Sequence, residues 1–140
     1  MYSYSLTDAR NTRVAFHATF LSSESPPVNT PLIFNRVRYN HGNAYSRTTG
    51  RFTAPCDGIY FFVARSGSDV TPGYSYLYMM INGSTYDTTQ TNYISGSHYF
   101  MPSLHMCMHL SQGDEVWVKS GGGTYWEPVS SFSGFLLSKD

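Results

Sequence analysis

The sequence predicts an all-β domain, a two-sheet antiparallel sandwich of the jelly-roll kind, and three observations lead there. Short apolar-alternating segments follow one another along the chain, separated by Gly, Pro, Ser, Asn and Thr. No stretch carries a capped helical stripe of adequate length. The run Gly58-Ile59-Tyr60-Phe61-Phe62-Val63-Ala64 alternates two apolar sets, with Tyr60, Phe62 and Ala64 on one face and Ile59, Phe61 and Val63 on the other. A strand apolar on both faces belongs in the middle of a sandwich, or between a core and a partner chain.

Each element follows from the same alternation. Residues 1–13 read as an N-terminal extension, and 14–140 as a single domain. From Val14 to Phe20, the side chains Val14, Phe16, Ala18 and Phe20 share a face. Ser22 to Pro31 is a loop, because its three prolines remove donors and fix angles unsuited to a ladder. A short strand is expected at Leu32 to Val37, a loop at Ser66 to Gly73, and a strand at Tyr74 to Ile81. That strand stops at Asn82-Gly83, the strongest short hairpin signal because both residues tolerate positive φ. Thr85 to Thr91 would be its partner, and Ser103 to Leu110, Glu115 to Lys119 and Phe132 to Leu137 are three more strands.

Composition narrows the functional classes. Net charge is zero and only 13% of the 140 residues are charged, so no global field draws in nucleic acid. No run approaches the roughly 18 apolar residues of a membrane helix. Met1 to Asp8 shows no basic and apolar leader pattern, so no signal peptide is visible there. Cys56 and Cys107 are too few for a disulfide scaffold. Cys107 is most simply a small buried hydrophobe, and a Cys56–Cys107 disulfide is the alternative. No nucleophile elbow, phosphate loop or dinucleotide fingerprint points to an enzyme.

The spacing Phe34, Asn40, Tyr45, Phe52, Gly58, Tyr60, Phe62 resembles the signature of the C1q-domain family, the globular heads of complement C1q and its relatives. Val14 to Ala18 is similar to that family's first strand, Gln112 to Val118 to its Gly-Asp turn and strand, and Phe132 to Leu137 to its closing strand. The chain departs at Ala64, where the family usually has Phe or Tyr. The resemblance implies a jelly roll like that of tumour necrosis factor, a trimer, secretion, and binding rather than catalysis. Without a collagen-like stalk in the sequence, the chain resembles the stand-alone C1q-domain proteins of invertebrates.

Within that frame the candidate residues fall into groups. Tyr60 and Phe62 are expected at a trimer interface, since their face needs a second apolar neighbour. His105, Cys107 and His109 share one strand face, opposite Leu104, Met106, Met108 and Leu110. Strand residues four apart are about 13 Å apart, too far for both histidines to reach one zinc ion. Copies meeting on a threefold axis would bring three His105 or His109 side chains to one ion. That metal-binding trimer is the weakest of three functional readings and ranks below a partly buried polar strand face with ordinary histidines. Arg36, Arg38, Arg47 and Arg51 offer guanidinium forks for carboxylates or phosphates, against the plainer reading of a solvated strand face. Tyr125 and Trp126, after Gly121 to Gly123, suit stacking on sugars and, equally, simple packing. Tyr74, Tyr76 and Tyr78 read as packing. Asn82-Gly83-Ser84 is an N-glycosylation sequon on the hairpin. A calcium ion held partly by backbone carbonyls is compatible with the family, though no residue announces it. The expected function is a secreted lectin-like recognition module of innate immunity that binds microbial or sialylated, acidic glycans such as lipopolysaccharide. The alternative is a structural or signalling trimer that binds protein receptors.

Overall fold

The computed structural model describes residues 12–23, 25–70, 73–93, 98–121, 125–126 and 128–140, and the side chains among them apart from 68–75, 91–100 and 122–127. Of the predicted extension, only Thr12 and Arg13 fall within this set. The described residues contain no helix. Strands β1 (Ala15–Thr19), β2 (Arg36–His41), β3 (Phe52–Thr53), β4 (Gly58–Arg65), β5 (Ser68–Val70) and β6 (Gly73–Ile81) make the first half. Then come β7 (Ser84–Tyr93), β8 (His98–Phe100), β9 (Ser103–Leu110), β10 (Glu115–Ser120), β11 (Tyr125–Trp126) and β12 (Ser131–Lys139).

All pairings are antiparallel, and two sheets form the layers. One has the order β2-β1-β12-β4-β9, the other β3-β10-β6-β7; β11, β5 and β8 form a small third sheet. The middle strand β4 joins β12 on one side and β9 on the other over its whole length. Between the layers lies the core. Phe16, Phe20, Tyr60, Phe62, Met106, Met108 and Phe132 come from the five-stranded sheet and its flank, and Phe52, Leu77, Met79, Val116 and Val118 from the four-stranded one.

The register explains which side of β4 turns inward. Gly134 sits between Phe16 and Phe62 in one cross-strand row. A Cβ on Gly134 would overlap the Phe62 ring, so the absent side chain is what admits that ring. Phe62 packs edge-on against Phe52 with ring centroids 5.0 Å apart, and Phe132 edge-on against Phe16 at 4.9 Å. Tyr60 and Phe62 have no accessible surface at all. They cannot contribute to a subunit contact, which corrects the expectation that placed them there: their apolar neighbours are the opposite sheet's own residues. Ala64 is equally buried, opposite Phe132 and Leu104 in the register.

The residues spaced like a family signature hold the turn after β2 together. Asn40 donates from Nδ2 to the Tyr45 carbonyl at 2.8 Å and accepts the Tyr45 amide on Oδ1 at 3.2 Å. Tyr45 stacks parallel to Phe16 at 4.8 Å and donates its hydroxyl to the Phe34 carbonyl at 2.8 Å. Burial raises the Tyr45 phenol well above its ordinary value.

Two expected boundaries moved. Leu32 to Asn35 lies outside the strand ladders, and β2 begins only at Arg36. The Leu32 amide bonds the Val118 carbonyl, and Leu32 and Phe34 are buried where the chain crosses between sheets. The expected loop Ser66 to Gly73 contains β5. For the core, Gly134→Val is expected to cost about 3 kcal/mol by overpacking and to lower the thermal midpoint by roughly 10 °C. An unchanged midpoint in calorimetry would contradict the role given to Gly134.

Candidate functional site

With Tyr60 and Phe62 inside, the other set of β4 side chains faces out, and the register lays out the outer face of the five-stranded sheet in rows. His41, Ala15, Phe135, Phe61 and Cys107 form one row, and Tyr39, His17, Ser133, Val63 and His105 the next. Ile59 pairs His109 at one end, and Arg65 pairs Ser103 at the other. The middle is apolar. Ile59 is 39% exposed, Phe135 41% and Leu137 60%, and the rings of Phe61 and Phe135 lie 5.6 Å apart. Cys107 is exposed here and free, as is the half-buried Cys56, so Cys107 is not the buried hydrophobe expected and no disulfide joins the two.

Both flanks of this face carry ionisable groups. Strand β2 bulges between Val37 and Tyr39, which leaves Arg36, Arg38, Tyr39 and His41 exposed while Val37 and Asn40 are partly buried. His17 Nδ1 shares a hydrogen bond with Ser133 Oγ. Partial burial, then the positive charges of Arg65 and Arg38, lower the His17 pKa below its ordinary value. At the far edge His105 and His109 are exposed. His109 Nε2 pairs with Asp140 Oδ2 at 2.7 Å, and that bond raises its pKa.

A cleft of about 790 Å³ opens at the end of the sandwich where the turn after β2 meets the segment after β3. Asn43, Ser46, Arg47, Thr48, Thr53 and Gln112 supply its polar groups, over a floor that includes Tyr45 and Ala54. Its walls are pinned by backbone bonds. Thr53 donates to Ala44 at 2.9 Å, Gly50 to Ser46 at 2.9 Å and Gly113 to Ala54 at 2.8 Å. Asn43 (φ 52°) and Gly42 (φ 87°) make the left-handed turn that forms its rim. The volume falls in the range of small-ligand pockets.

The four arginines singled out in the sequence do not form one patch. Arg36 and Arg38 stand on the sheet face, and Arg47 lines the cleft. Arg51 is committed to structure, 2.8 Å from Glu115 Oε2 with its guanidinium 4.5 Å above the Trp117 ring. Tyr125 and Trp126 pair through their backbones with Asp69 and Ser68, and their side chains lie outside the described ones. Tyr76 and Tyr78 stack at 5.9 Å, as packing predicts; the Tyr74 side chain also lies outside the described set. Asn82 bridges turns, donating to Asp114 Oδ1 and accepting the Glu115 amide, each at 2.9 Å. Its amide holds Asp114 below the usual carboxylate range. Among the described residues, no three His, Cys, Asp or Glu side chains converge as metal ligands. Nor is any described helix long and apolar enough to cross a membrane. The sequence reading missed His17, His41, Arg65 and Phe135, whose common face appears only once strand register is known.

A two-sheet jelly roll with signature-spaced residues holding its turns defines a class, the globular heads built on the fold of complement C1q and tumour necrosis factor. The chain belongs to the C1q domain family, whose model matches residues 15–137. It is 34% identical over 128 residues to the human complement C1q tumor necrosis factor-related protein 3, covering 89% of this chain and 51% of that protein. Zebrafish caprin-2 is 30% identical over 145 residues, covering 100% of this chain and 15% of that one. The chain thus spans about half the length, or less, of these relatives. Among solved structures, the globular domain of zebrafish complement 1qA superposes with a TM-score of 0.78 at 21% identity, covering 91% of this chain and 99% of that one. The S. frugiperda Eiger TNF structure superposes at 0.68 and 14% identity, covering 91% and 93%.

In an NMR titration, His17 is expected to lose its proton below the ordinary histidine value of 6.5, and His109 above it. Asp140→Asn should bring His109 back toward 6.5 and leave His17 unmoved. Equal midpoints for the two would contradict the assigned surroundings.

Proposed function

We propose that this chain is a secreted, self-assembling recognition module that binds acidic glycans, such as the phosphorylated sugars of lipopolysaccharide, in the cleft beside Arg47. One observation carries the reading: among the described residues that line the cleft, Arg47 is the single charged side chain, set among amides, hydroxyls, apolar groups and the Tyr45 ring. Amides and hydroxyls match sugar hydroxyls, and a lone guanidinium selects a phosphate or carboxylate among them.

Self-assembly is assigned to the outer face of the five-stranded sheet, where Ile59, Phe61, Phe135 and Leu137 leave apolar surface uncovered. The partner is a second copy of this chain, and the C1q family's trimer is the expected product. That assignment separates the arginines by task. Arg36 and Arg38, on the associating face, belong to the contact between copies, while Arg47 remains open at the end of the sandwich. The protein-receptor reading stays as the alternative.

A glycan array read with and without calcium is expected to show binding to phosphorylated or sialylated glycans, reduced about tenfold or more by Arg47→Ala, the loss of one charge-assisted bond. Binding unaffected by that substitution moves the site elsewhere, and a negative array with folded protein favours a protein receptor. Phe61→Asp is expected to leave the fold intact and yield single chains in sedimentation. An assembly that survives it would remove the sheet face from the contact.

A further inference from the structure

Four of the chain's five histidines, His17, His41, His105 and His109, stand on the outer face of one sheet. The fifth, His98, has its side chain outside the described ones. That placement gathers on a single surface the side-chain type best suited to act as a switch near neutral pH. The neighbours on each strand bias the outcome. Strand β2 adds Arg36, Arg38 and Tyr39, β4 adds Arg65, and β9 adds Cys107; β12 presents Ser133 and Phe135, with Lys139 at its end. The negative groups acting on His109 are at one corner, where Asp140 bonds it and Asp57 and Asp114 add their fields. Among the described residues, the rest of the face holds no carboxylate.

We propose that this face is an acid-releasable contact between copies of the chain, closed at neutral pH and opened in mildly acidic solution by protonation of His17, His41 and His105. The proposal rests on the self-association reading and adds a condition to it. Neutral imidazoles pack acceptably beside Phe61 and Phe135. Protonated, the three add three positive charges per copy to a surface that already carries Arg36, Arg38 and Arg65, and closing it would desolvate like charges against one another.

The direction follows from linkage. Burial and the two arginines already make His17 harder to protonate, and a second copy laid over it adds burial. Separated copies therefore bind more protons than assembled ones, so association weakens as pH falls through the histidine range. His109 contributes least, because Asp140 balances its charge in either state. Each histidine that takes up a proton on separation raises the dissociation constant up to about tenfold per pH unit. With three per copy, a rise of about 100-fold or more between pH 7.5 and 5.0 is expected.

The test is analytical ultracentrifugation of the full chain from pH 7.5 to 5.0, with circular dichroism confirming that the fold persists. The expected result is an assembly at pH 7.5 that separates reversibly by pH 5.0. The H17Q/H41Q/H105Q variant should stay assembled at pH 5.0. If it fails to fold, H41Q and H105Q, both at exposed positions, should each move the transition to lower pH. Single chains at pH 7.5 would overturn the self-association reading itself. An assembly unchanged at pH 5.0 would overturn only the acid release, and variants that separate like the parent chain would remove the histidines as its cause.

Discussion

Five aromatic rings, from Phe16, Tyr45, Phe52, Phe62 and Phe132, are packed against one another between the two sheets, and the remainder of the molecule is arranged to keep them there. The cluster joins three strands of one sheet, a strand of the other and the turn after β2. Stacked and edge-on pairs contribute beyond the area they bury. They also demand room, and Gly134 supplies it in the row where Phe16 and Phe62 would otherwise be held apart by a third side chain. Tyr45 carries the same constraint to the surface. Its ring is stacked in the cluster while Asn40 holds its backbone, so the cleft beside it inherits a fixed wall.

Because β4 is apolar on both faces, satisfying the ring cluster leaves a second apolar set pointing outward. Ile59, Phe61 and Val63 occupy the centre of the five-stranded sheet's free side, and Phe135 extends them onto β12. The histidines and arginines lie around this centre rather than within it. The same register that closes the core therefore composes the surface on which copies of the chain are proposed to meet. The cleft uses a different part of the molecule, so the proposed assembly and the proposed ligand site do not compete for Arg47.

Much of the fold was legible in the residues. The alternation of β1, β4, β9 and β12 and the Asn82-Gly83 turn all appear where the pattern puts them. Asn40, Tyr45 and Phe34 were legible as a spacing, and the structure gives the reason: one side chain locks a turn, one ring stacks and one carbonyl accepts. What the pattern missed has physical causes. Strands β3, β5, β8 and β11 are two or three residues long, too short for a period to show. Leu32 and Phe34 alternate because a buried crossing alternates, ladder or not. Which side of β4 faces inward was undecidable from β4 alone, since both sides are apolar; Phe16 and Gly134, distant in sequence, settle it. The site was less legible still. Arg51 could not be set apart from Arg47 without seeing Glu115 and Trp117 beneath it. The histidines of β1, β2 and β9 become one group only through three strand registers.

The central claim is that the outward side of β4 and its neighbours is covered by other copies of this chain. Cys107 stands in the same row as Phe61 and Phe135, free and exposed on the isolated chain, and so reports on that cover directly. Its reaction with a thiol reagent at neutral pH, followed by peptide mass spectrometry to separate it from Cys56, should be measured over a dilution series. Slow labelling at high protein concentration that accelerates on dilution is the predicted result. A rate equally fast at every concentration would contradict the account.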